Sequence, residues 1–318
     1  MSRPETPGAA AARIPPAEGL SVRVPATSAN LGPGFDTLGL ALALYDELDL
    51  ELTAGGLEVT PYGDVPVDER NLVVRALRTA FAATGAQPAG LRLTYTSRIP
   101  HARGLGSSSA AICAGVVAAL ALRGVAADDP FALELAAGIE GHPDNVAPCL
   151  LGGLTVAYYE GRVARAVRLE PAAAVTPVVF VPPVRTSTEQ SRAALPDVVP
   201  HADAAFSAGR AALLVAALTS RPDRLLEGTE DRLHQAFRLS AVPVTLRLLR
   251  ALREAGIAAV LSGSGPSVLA LCRSADEADE AVAVVAGVPP EAGGLQVYRP
   301  AVDRSGSVLL ASRHAPPG

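Results

Sequence analysis

The chain has 318 residues, of which 49% are hydrophobic, enough to fill the cores of about two domains of roughly 150 residues, so a disordered or fibrous protein is excluded. The formal net charge is −5, which provides no basic field to attract nucleic acid or an anionic membrane, and neither is expected as a partner. The chain contains no lysine, which excludes Schiff-base chemistry and a Walker-type phosphate loop. Any phosphate must therefore be bound by backbone amides, arginine or a metal.

Targeting signals and paired cysteines are not evident. Residues 1–19 are rich in Ala, Pro and Gly without the apolar stretch of a secretory signal, which predicts a disordered tail. The longest apolar run, 110–122, is shorter than the roughly 20 residues of a membrane-spanning helix. Cys113, Cys149 and Cys272 are far apart in apolar runs, so we expect reduced core thiols in a cytoplasmic protein.

The first half of the chain mixes strand and helix patterns. Alternating apolar and polar residues predict strands, which cover 20–25, 47–53 and 91–96 and are followed by two more over 152–158 and 161–170. Apolar residues at helical spacing predict helices over 71–84, 107–123 and 130–139. The helix over 107–123 is apolar nearly all round and should be buried. These elements predict a first domain over residues 20–170 with an antiparallel-rich sheet.

The second half predicts another layered domain, over residues 171–313. Its strands are expected over 175–181, 258–261, 267–272 and 296–300. Its helices are expected over 204–219, 223–228, 244–254 and 275–286.

A glycine-rich loop joins the strand over 91–96 to the buried helix, with the sequence Gly-Leu-Gly-Ser-Ser-Ser over residues 104–109. Two glycines allow a close approach to a ligand, and the free amides and positive dipole of a helix start favour an anion such as phosphate. A plain turn with a serine helix cap explains the same spacing, so both interpretations stay open here. A serine nucleophile elbow is disfavoured because the final glycine of Gly-x-Ser-x-Gly is replaced by Ala110.

Two further motifs flank this loop. Residues 25–36 read Pro-Ala-Thr-Ser-Ala-Asn-Leu-Gly-Pro-Gly-Phe-Asp, and residues 262–267 read Ser-Gly-Ser-Gly-Pro-Ser. With the phosphate loop from Pro100 onward, the three ordered motifs resemble those of the GHMP kinases. The first motif, together with Glu-Gly-His-Pro-Asp-Asn over residues 140–145, resembles the homoserine kinase branch of that superfamily.

The resemblance implies an α+β, two-domain GHMP kinase fold, with an N-terminal ribosomal S5 domain 2-like domain and a C-terminal ferredoxin-like domain. The loop over 262–267 is expected to fold toward the active site and complete the cleft between the domains. The implied reaction is ATP-dependent phosphorylation of the L-homoserine hydroxyl, a step of threonine biosynthesis, with Mg²⁺ as cofactor. A homodimer is expected from the resemblance alone.

Homoserine is a zwitterion, so its site needs a carboxylate for the ammonium group and a guanidinium for the carboxylate. By resemblance, the amino-acid pocket is lined by Asn30, Asp36, His142 and Asp144, and the carboxylate is held by Arg192 and Arg238. Taken singly, Asp36 also fits a turn cap, His142 a satisfied polar group beside a proline, and each arginine a solvated surface charge.

The nucleotide and metal positions follow from the same resemblance. The residues expected at the nucleotide are Asn71, Pro100, His101, Ala102, Arg103, Gly104, Leu105, Gly106, Ser107, Ser108, Ser109 and Ala110. Ser108 and Glu134 match the metal-contacting positions. A helix cap is the alternative for Asn71, and an ordinary exposed carboxylate is the alternative for Glu134.

Four residues are expected to act in catalysis, namely Asp144, Asn145, Thr188 and Arg192. Asn145 stands where other branches place an aspartate base, and an amide cannot accept a proton, so we predict that no strong general base is used. Instead Asn145 orients the acceptor hydroxyl, and Thr188 lies near the transferred phosphoryl group unless it is a simple loop residue. A kinase for threonine or another amino alcohol, and a metabolite-binding regulator without catalysis, are the competing hypotheses.

Overall fold

The computed structural model describes residues 19–240, 242–289 and 294–310. Almost all of the predicted tail lies outside these residues. In chain order the strands are β1 (Gly19–Ala29), β2 (Leu38–Thr53), β3 (Gly56–Val59), β4 (Gly90–Thr96), β5 (Leu154–Glu160), β6 (Val163–Leu169), β7 (Thr176–Val181), β8 (Ala259–Leu261), β9 (Val268–Cys272), β10 (Gln296–Tyr298) and β11 (Val308–Leu310).

The helices are α1 (Leu72–Ala83), α2 (Ser107–Ala121), α3 (Pro130–Glu140), α4 (Pro143–Leu151), α5 (Thr188–Ala193), α6 (His201–Thr219), α7 (Leu225–Gly228), α8 (Gln235–Leu239), α9 (Pro243–Glu254) and α10 (Ala275–Ala286), with a 3₁₀ turn at Pro222–Arg224. By length and hydropathy alone α6 could span a membrane, a test that core helices of soluble proteins also pass.

The first sheet is built around the long strand β2. Its strands follow the order β11-β1-β2-β4-β3, while the start of β2 pairs instead with β5, which pairs with β6. Leu38 lies opposite Val156 at one end of β2, and Leu52 lies opposite Leu91 at the other. From Asp46 onward buried and half-buried residues alternate along β2, as expected for a strand with one face on the core.

Helix α2 packs under this sheet as a buried core element. Every residue from Ser109 to Leu120 is buried, which confirms the prediction from its apolar composition. The three cysteines are free and buried, as predicted. Burial raises the pKa of the Cys272 thiol to about 12, so it is protonated at neutral pH.

The second sheet has the order β10-β7-β9-β8. Together with α9 and α10 its strands follow in the chain as β-α-β-β-α-β, the arrangement of a ferredoxin-like domain, which confirms that expectation. Helices α5 to α8 form an insertion between β7 and α9. The chain changes sheet between β6 and β7, where residues 170 and 171 lie, but β11 returns to pair with β1 in the first sheet.

Most predicted elements are present, and α10 has its predicted bounds. Strand β2 begins at Leu38, nine residues before the strand predicted over 47–53. Five elements were not predicted from the sequence, namely β3, α4, α5, α8 and β11. Helix α4 was not predicted because it contains two prolines. Pro143 lies in the first turn, where its missing N–H is not needed, and Pro148 is tolerated near the end of the helix.

Candidate active site

A cleft of about 330 Å³ opens where the loop after β1, the loop before α2 and the β8–β9 turn meet. It is lined by Asn30, Ala102, Arg103, Gly104, Gly106, Ser107, Ser108, Ser109, Glu140, His142, Asn145, Thr186, Ser187, Thr188, Arg192, Arg238, Gly263 and Ser264. The cleft thus brings together most of the side chains that the sequence predicts for the site.

The start of α2 has the form of an anion site. Its N-cap residue, Gly106, has φ +68°, and among the described residues no side chain caps this helix end. A Cβ atom at Gly106 would collide with the Thr27 hydroxyl, so glycine is required both for conformation and for space. Ser107, Ser108 and Ser109 line the cleft directly after it, where backbone amides and the helix dipole favour a phosphate group.

The third motif closes the cleft from the second sheet, as expected. Ser262 Oγ donates to the Gly104 carbonyl at 2.6 Å and lies 2.8 Å from Ser28 Oγ. The Gly263 amide donates to the Ala29 carbonyl at 3.0 Å. These bonds, two from the Ser262 side chain and one from the Gly263 backbone, join all three motifs, so the third motif is fixed to both the first motif and the phosphate loop.

Besides Asn71, described below, four residues predicted for the nucleotide do not line the cleft. Leu105 and Ala110 are 1% and 0% exposed and belong to the hydrophobic core. His101 has its ring nitrogen Nε2 2.9 Å from Ser97 Oγ, and Pro100 also lies outside the cleft lining. The apolar side chains anchor the loop from below, so the prediction for these four side chains is corrected.

The acidic residue at the phosphate loop is Glu140 rather than Glu134. Ser108 Oγ and Ser109 Oγ donate to the two carboxylate oxygens of Glu140 at 2.9 and 2.8 Å. Glu134 is exposed and does not line the cleft. Six residues make about 1.7 turns of a helix, so the two side chains of α3 point in different directions. The contacts of the described residues favour Glu140 as the metal ligand, and the assignment of Glu134 stays a prediction.

Asn71 is a buried helix cap. It is 0% exposed; its Oδ1 accepts from the amides of Val73 and Val74, and its Nδ2 donates to the Pro66 carbonyl at 2.8 Å. The Asn71 side chain thus has the form of the helix-cap alternative, because both ends of the amide are engaged in holding the start of α1, and its contact with the nucleotide stays a prediction.

Asp36 and Arg192 form an ion pair with two hydrogen bonds. Arg192 Nη1 and Nη2 donate to the carboxylate oxygens of Asp36 at 2.9 and 2.8 Å. Asn30 Oδ1 accepts from the Asp36 amide at 2.9 Å and fixes the loop at φ +52°. The hydrogen bond to Asp36 raises the pKa of Arg192 further above its usual range. Asp36 does not line the cleft itself, but it is bonded to Arg192, which does.

Arg238 is buried beside this pair, with 4% of its surface exposed. Its Nη1 lies 3.3 Å from the Gly263 carbonyl and 3.4 Å from His234 Nδ1, and its Nε has no hydrogen-bond partner among the described residues. Burial lowers the pKa of Arg238, and the nearby Arg192 lowers it further. A buried cation without a carboxylate partner favours an anionic ligand.

His142 and Asp144 form a pair at the start of α4. His142 Nδ1 lies 2.6 Å from Asp144 Oδ1, and this hydrogen bond raises the pKa of His142 above its ordinary value. Asp144 is 0% exposed and lies behind His142, which lines the cleft. Asp144 therefore orients the imidazole, and the prediction that it lines the pocket itself is corrected.

Asn145 is held in one orientation by Thr27, whose hydroxyl donates to Asn145 Oδ1 at 2.8 Å. Because Oδ1 receives this bond, the amide nitrogen is the group left for the cleft, and it can only donate. Thr188 is exposed at the start of α5 and lines the opposite wall, next to the helix cap Ser187.

Comparison with known proteins agrees with this arrangement. The family model of the GHMP kinases N terminal domain matches residues 71–153, and that of the GHMP kinases C terminal matches residues 210–289. The homoserine kinases of Streptomyces avermitilis and Streptomyces coelicolor are 54% and 53% identical to this chain over 302 and 301 residues. Each alignment covers 92% of this chain, and 96% and 95% of the two relatives. The chain belongs to the homoserine kinase branch of the GHMP kinases.

A solved structure supports the same family. The homoserine kinase from Cytophaga hutchinsonii matches with a TM-score of 0.80 at 30% identity, covering 92% of this chain and 97% of that one. The two-domain GHMP kinase fold is thereby confirmed. Membership of this family makes the protein a small-molecule kinase with ATP as phosphoryl donor.

The sequence of this homoserine kinase family member did not predict several residues in and beside the cleft. Glu140, which lines the cleft, and the buried Thr27, which holds Asn145, lie inside quoted motifs, but nothing in a linear motif shows which of its side chains meet in space. Ser187 is a helix cap whose only signal is its position before a short helix. Thr186 donates to the Gly265 carbonyl at 2.6 Å, a contact between residues 79 positions apart.

Proposed function

We propose that the protein transfers the γ-phosphoryl group of ATP to the side-chain hydroxyl of L-homoserine, forming O-phospho-L-homoserine and ADP. One observation carries this proposal: the start of α2 at Ser107–Ser109, which favours an anion, lines the same cleft as Arg238 and Arg192, and Arg192 is paired with Asp36. Family membership supports the phosphoryl donor, and the names of the relatives support the acceptor.

The triphosphate would lie against the first turn of α2. Gly104 and Gly106 allow its close approach, and Arg103, which lines the cleft, is held by a 2.9 Å bond from Nη2 to the Pro183 carbonyl. Since the chain lacks lysine, arginine and backbone amides supply the positive potential around the phosphates.

The donor set at the start of α2 fits Mg²⁺. Ser108 Oγ and the Glu140 carboxylate are hard oxygen ligands facing one cleft, and their mutual bond shows that they are close enough to share a cation. The described residues contain no group of three His, Cys, Asp or Glu side chains suited to a metal. A cation held by two side chains and by substrate phosphates is the usual form of a magnesium site in kinases, where it neutralises charge on the transferring group.

The acceptor would lie between Arg238, Arg192 and Asp36. Arg238 is buried, no hydrogen bond to a carboxylate is found for it among the described residues, and it would bind the substrate carboxylate, assisted by Arg192. Asp36 would bind the ammonium group. Asn30 and His142 line the remaining wall, where His142 is kept in place by Asp144.

Catalysis would come from alignment and charge stabilisation. Asn145 presents an amide N–H rather than a base to the acceptor hydroxyl, so the proton would leave late, to the phosphoryl oxygens. Thr188 would donate to the transferring group from the α5 side. Arg192 would add positive charge there once its bond to Asp36 opens.

The same family membership leads us to propose a cytoplasmic homodimer that binds neither nucleic acid nor membranes. The free, buried thiols support a reducing compartment. Light scattering of the purified protein tests this proposal. We expect the mass of a dimer, and the mass of a monomer would contradict it.

Coupled ADP release with Mg-ATP tests the proposed function, using L-homoserine, L-threonine, L-serine, mevalonate and galactose as acceptors. We expect a kcat/KM for L-homoserine at least about tenfold above every other acceptor, since one methyl group or one missing polar contact changes selectivity by about that factor or more. Turnover of another acceptor alone would disprove the substrate assignment. Nucleotide binding without turnover would favour the regulator.

A further inference from the structure

Phe35, which has no role in the reaction described above, lies between the side chains of Arg192, Arg238 and His234. The Arg192 and Arg238 guanidinium carbons lie 5.5 and 5.0 Å from the centre of its ring. The His234 ring stacks on it at 5.2 Å with an angle of 28° between the planes. Guanidinium groups within about 6 Å of an aromatic ring are attracted by its negative face.

The ring is held firmly by the loop that carries it. Since a carbonyl can only accept, the His234 Nε2–H donates to the Gly32 carbonyl at 2.6 Å. The Gly34 amide donates to the Leu31 carbonyl at 2.9 Å, which closes a turn directly before Phe35. His234 is fully buried, so the surface on which Phe35 stacks is itself fixed.

Two like charges meet at this ring and need to be held together. Arg192 is balanced by Asp36, whereas Arg238 is buried and hydrogen-bonds only weakly to a carbonyl and to His234. Burial lowers the pKa of Arg238; the Asp36 carboxylate raises this pKa, and the like charge of Arg192 lowers it. An aliphatic residue at position 35 would fill the same space without attracting either cation.

We propose that Phe35 is a positioning residue, whose ring holds the guanidinium groups of Arg192 and Arg238 close together so that both can bind one substrate carboxylate. The inference rests on the proposed function, which assigns the carboxylate to these two arginines. Phe35 itself does not touch the reacting atoms. It prepares a pair of cations that would otherwise separate before the substrate arrives.

A substrate without the carboxylate charge distinguishes this role from simple packing. We would measure kcat/KM for L-homoserine and for L-homoserinamide with the wild type, Phe35→Leu and Phe35→Tyr. Loss of two cation–ring contacts should lower kcat/KM of Phe35→Leu about 10- to 50-fold for L-homoserine but less than about threefold for the amide, with the KM for ATP unchanged. Phe35→Tyr keeps the ring and should stay within about threefold of wild type on both.

The chain provides a matched control. Phe206 contacts Arg210 and Arg232 at 4.7 and 3.9 Å outside the cleft. Phe206→Leu removes the same kind of contact, and we expect it to leave the preference for L-homoserine over the amide unchanged. An equal loss on both substrates in Phe35→Leu would overturn the positioning role.

Three further outcomes separate a failure of the Phe35 role from a failure of folding or of the proposed function. If Phe35→Leu unfolds, the test uses trifluorophenylalanine at position 35, which keeps the shape of the ring but weakens its negative face. A fall of kcat/KM confined to L-homoserine supports the positioning role, whereas unchanged kinetics overturn it. If the wild type treats acid and amide alike, the carboxylate assignment of the proposed function fails. If the wild type prefers the acid and Phe35→Leu keeps that preference, only the role of Phe35 fails.

Discussion

Arg192 donates hydrogen bonds of 2.9 and 2.8 Å to the two carboxylate oxygens of Asp36, which lies 156 positions away. The pair joins α5 to the loop after β1. The two side chains remain 45% and 35% exposed, so the pair contributes only about 0–1 kcal/mol to stability. A zwitterion carries both charges of this pair. Its carboxylate and ammonium groups can therefore replace the internal partners at small cost.

Asp36→Asn should weaken acceptor binding specifically. The amide keeps the shape but cannot form an ion pair with ammonium, so we expect kcat/KM for L-homoserine to fall about 10- to 100-fold with the KM for ATP unchanged. Asp223→Asn, which breaks an exposed pair with Arg221 outside the cleft, is the control and should change neither value. A loss no larger than that of the control would remove Asp36 from the acceptor site.

Glu140→Gln should impair the metal-dependent step, whereas Glu134→Gln should not. The amide at position 140 is a poor ligand for Mg²⁺, so we expect kcat to fall about 100-fold or more and the Mg²⁺ concentration for half-maximal rate to rise. The Glu134 variant changes an exposed carboxylate of the same helix and should stay within about twofold of wild type. The opposite ranking of the two variants would restore Glu134 as the ligand.

The two glutamates show what a sequence motif leaves undetermined. Both lie on α3, which the sequence predicts almost to its ends, and both are separated from Ser108 by a similar length of chain. Only the packing of α3 against α2 decides which carboxylate meets the serine hydroxyls. The ion pair of Asp36 with Arg192 is hidden for the same reason, because long-range contacts carry no local signal.

Asn145→Asp should not accelerate the reaction. The new carboxylate can still accept from Thr27, but it replaces an N–H donor with negative charge beside the phosphates. We expect an unchanged or reduced single-turnover rate, measured by rapid quench with saturating Mg-ATP and L-homoserine. A gain of several hundredfold would show that a missing base limits this enzyme.

Gly106→Ala should raise the KM for ATP by more than backbone strain alone would. Gly106 and Gly124 have φ +68° and +73°, so alanine is strained by about 1–2 kcal/mol at either position. Only at Gly106 would the new methyl group meet another atom, the Thr27 hydroxyl; at Gly124 the space is open. We expect a similar fall in Tm for the strain itself, but an increase of the KM for ATP of about tenfold or more in Gly106→Ala alone. Equal kinetics in the two variants would contradict the role of the tight loop.

The fold was predictable where periodicity is strong. Helices α1, α3 and α10 follow from the spacing of their apolar residues, and α2 follows from a composition that is apolar nearly all round. The first half of β2, from Leu38, was not predicted. Helix α4 was not, because two prolines mask nine helical residues that tertiary packing supports. The short strand β11 is stabilised by β1 rather than by its own three residues, and such pairing cannot be read locally.

The most direct measurement is a crystal structure with Mg²⁺, a non-hydrolysable ATP analogue and L-homoserine. The account predicts the terminal phosphate at the start of α2, the cation between Ser108 and Glu140, and the substrate carboxylate on Arg238, with the bond between Arg192 and Asp36 opened by the zwitterion. L-homoserine bound outside this cleft, or bound inside it while Arg192 and Asp36 remain paired, would contradict the account.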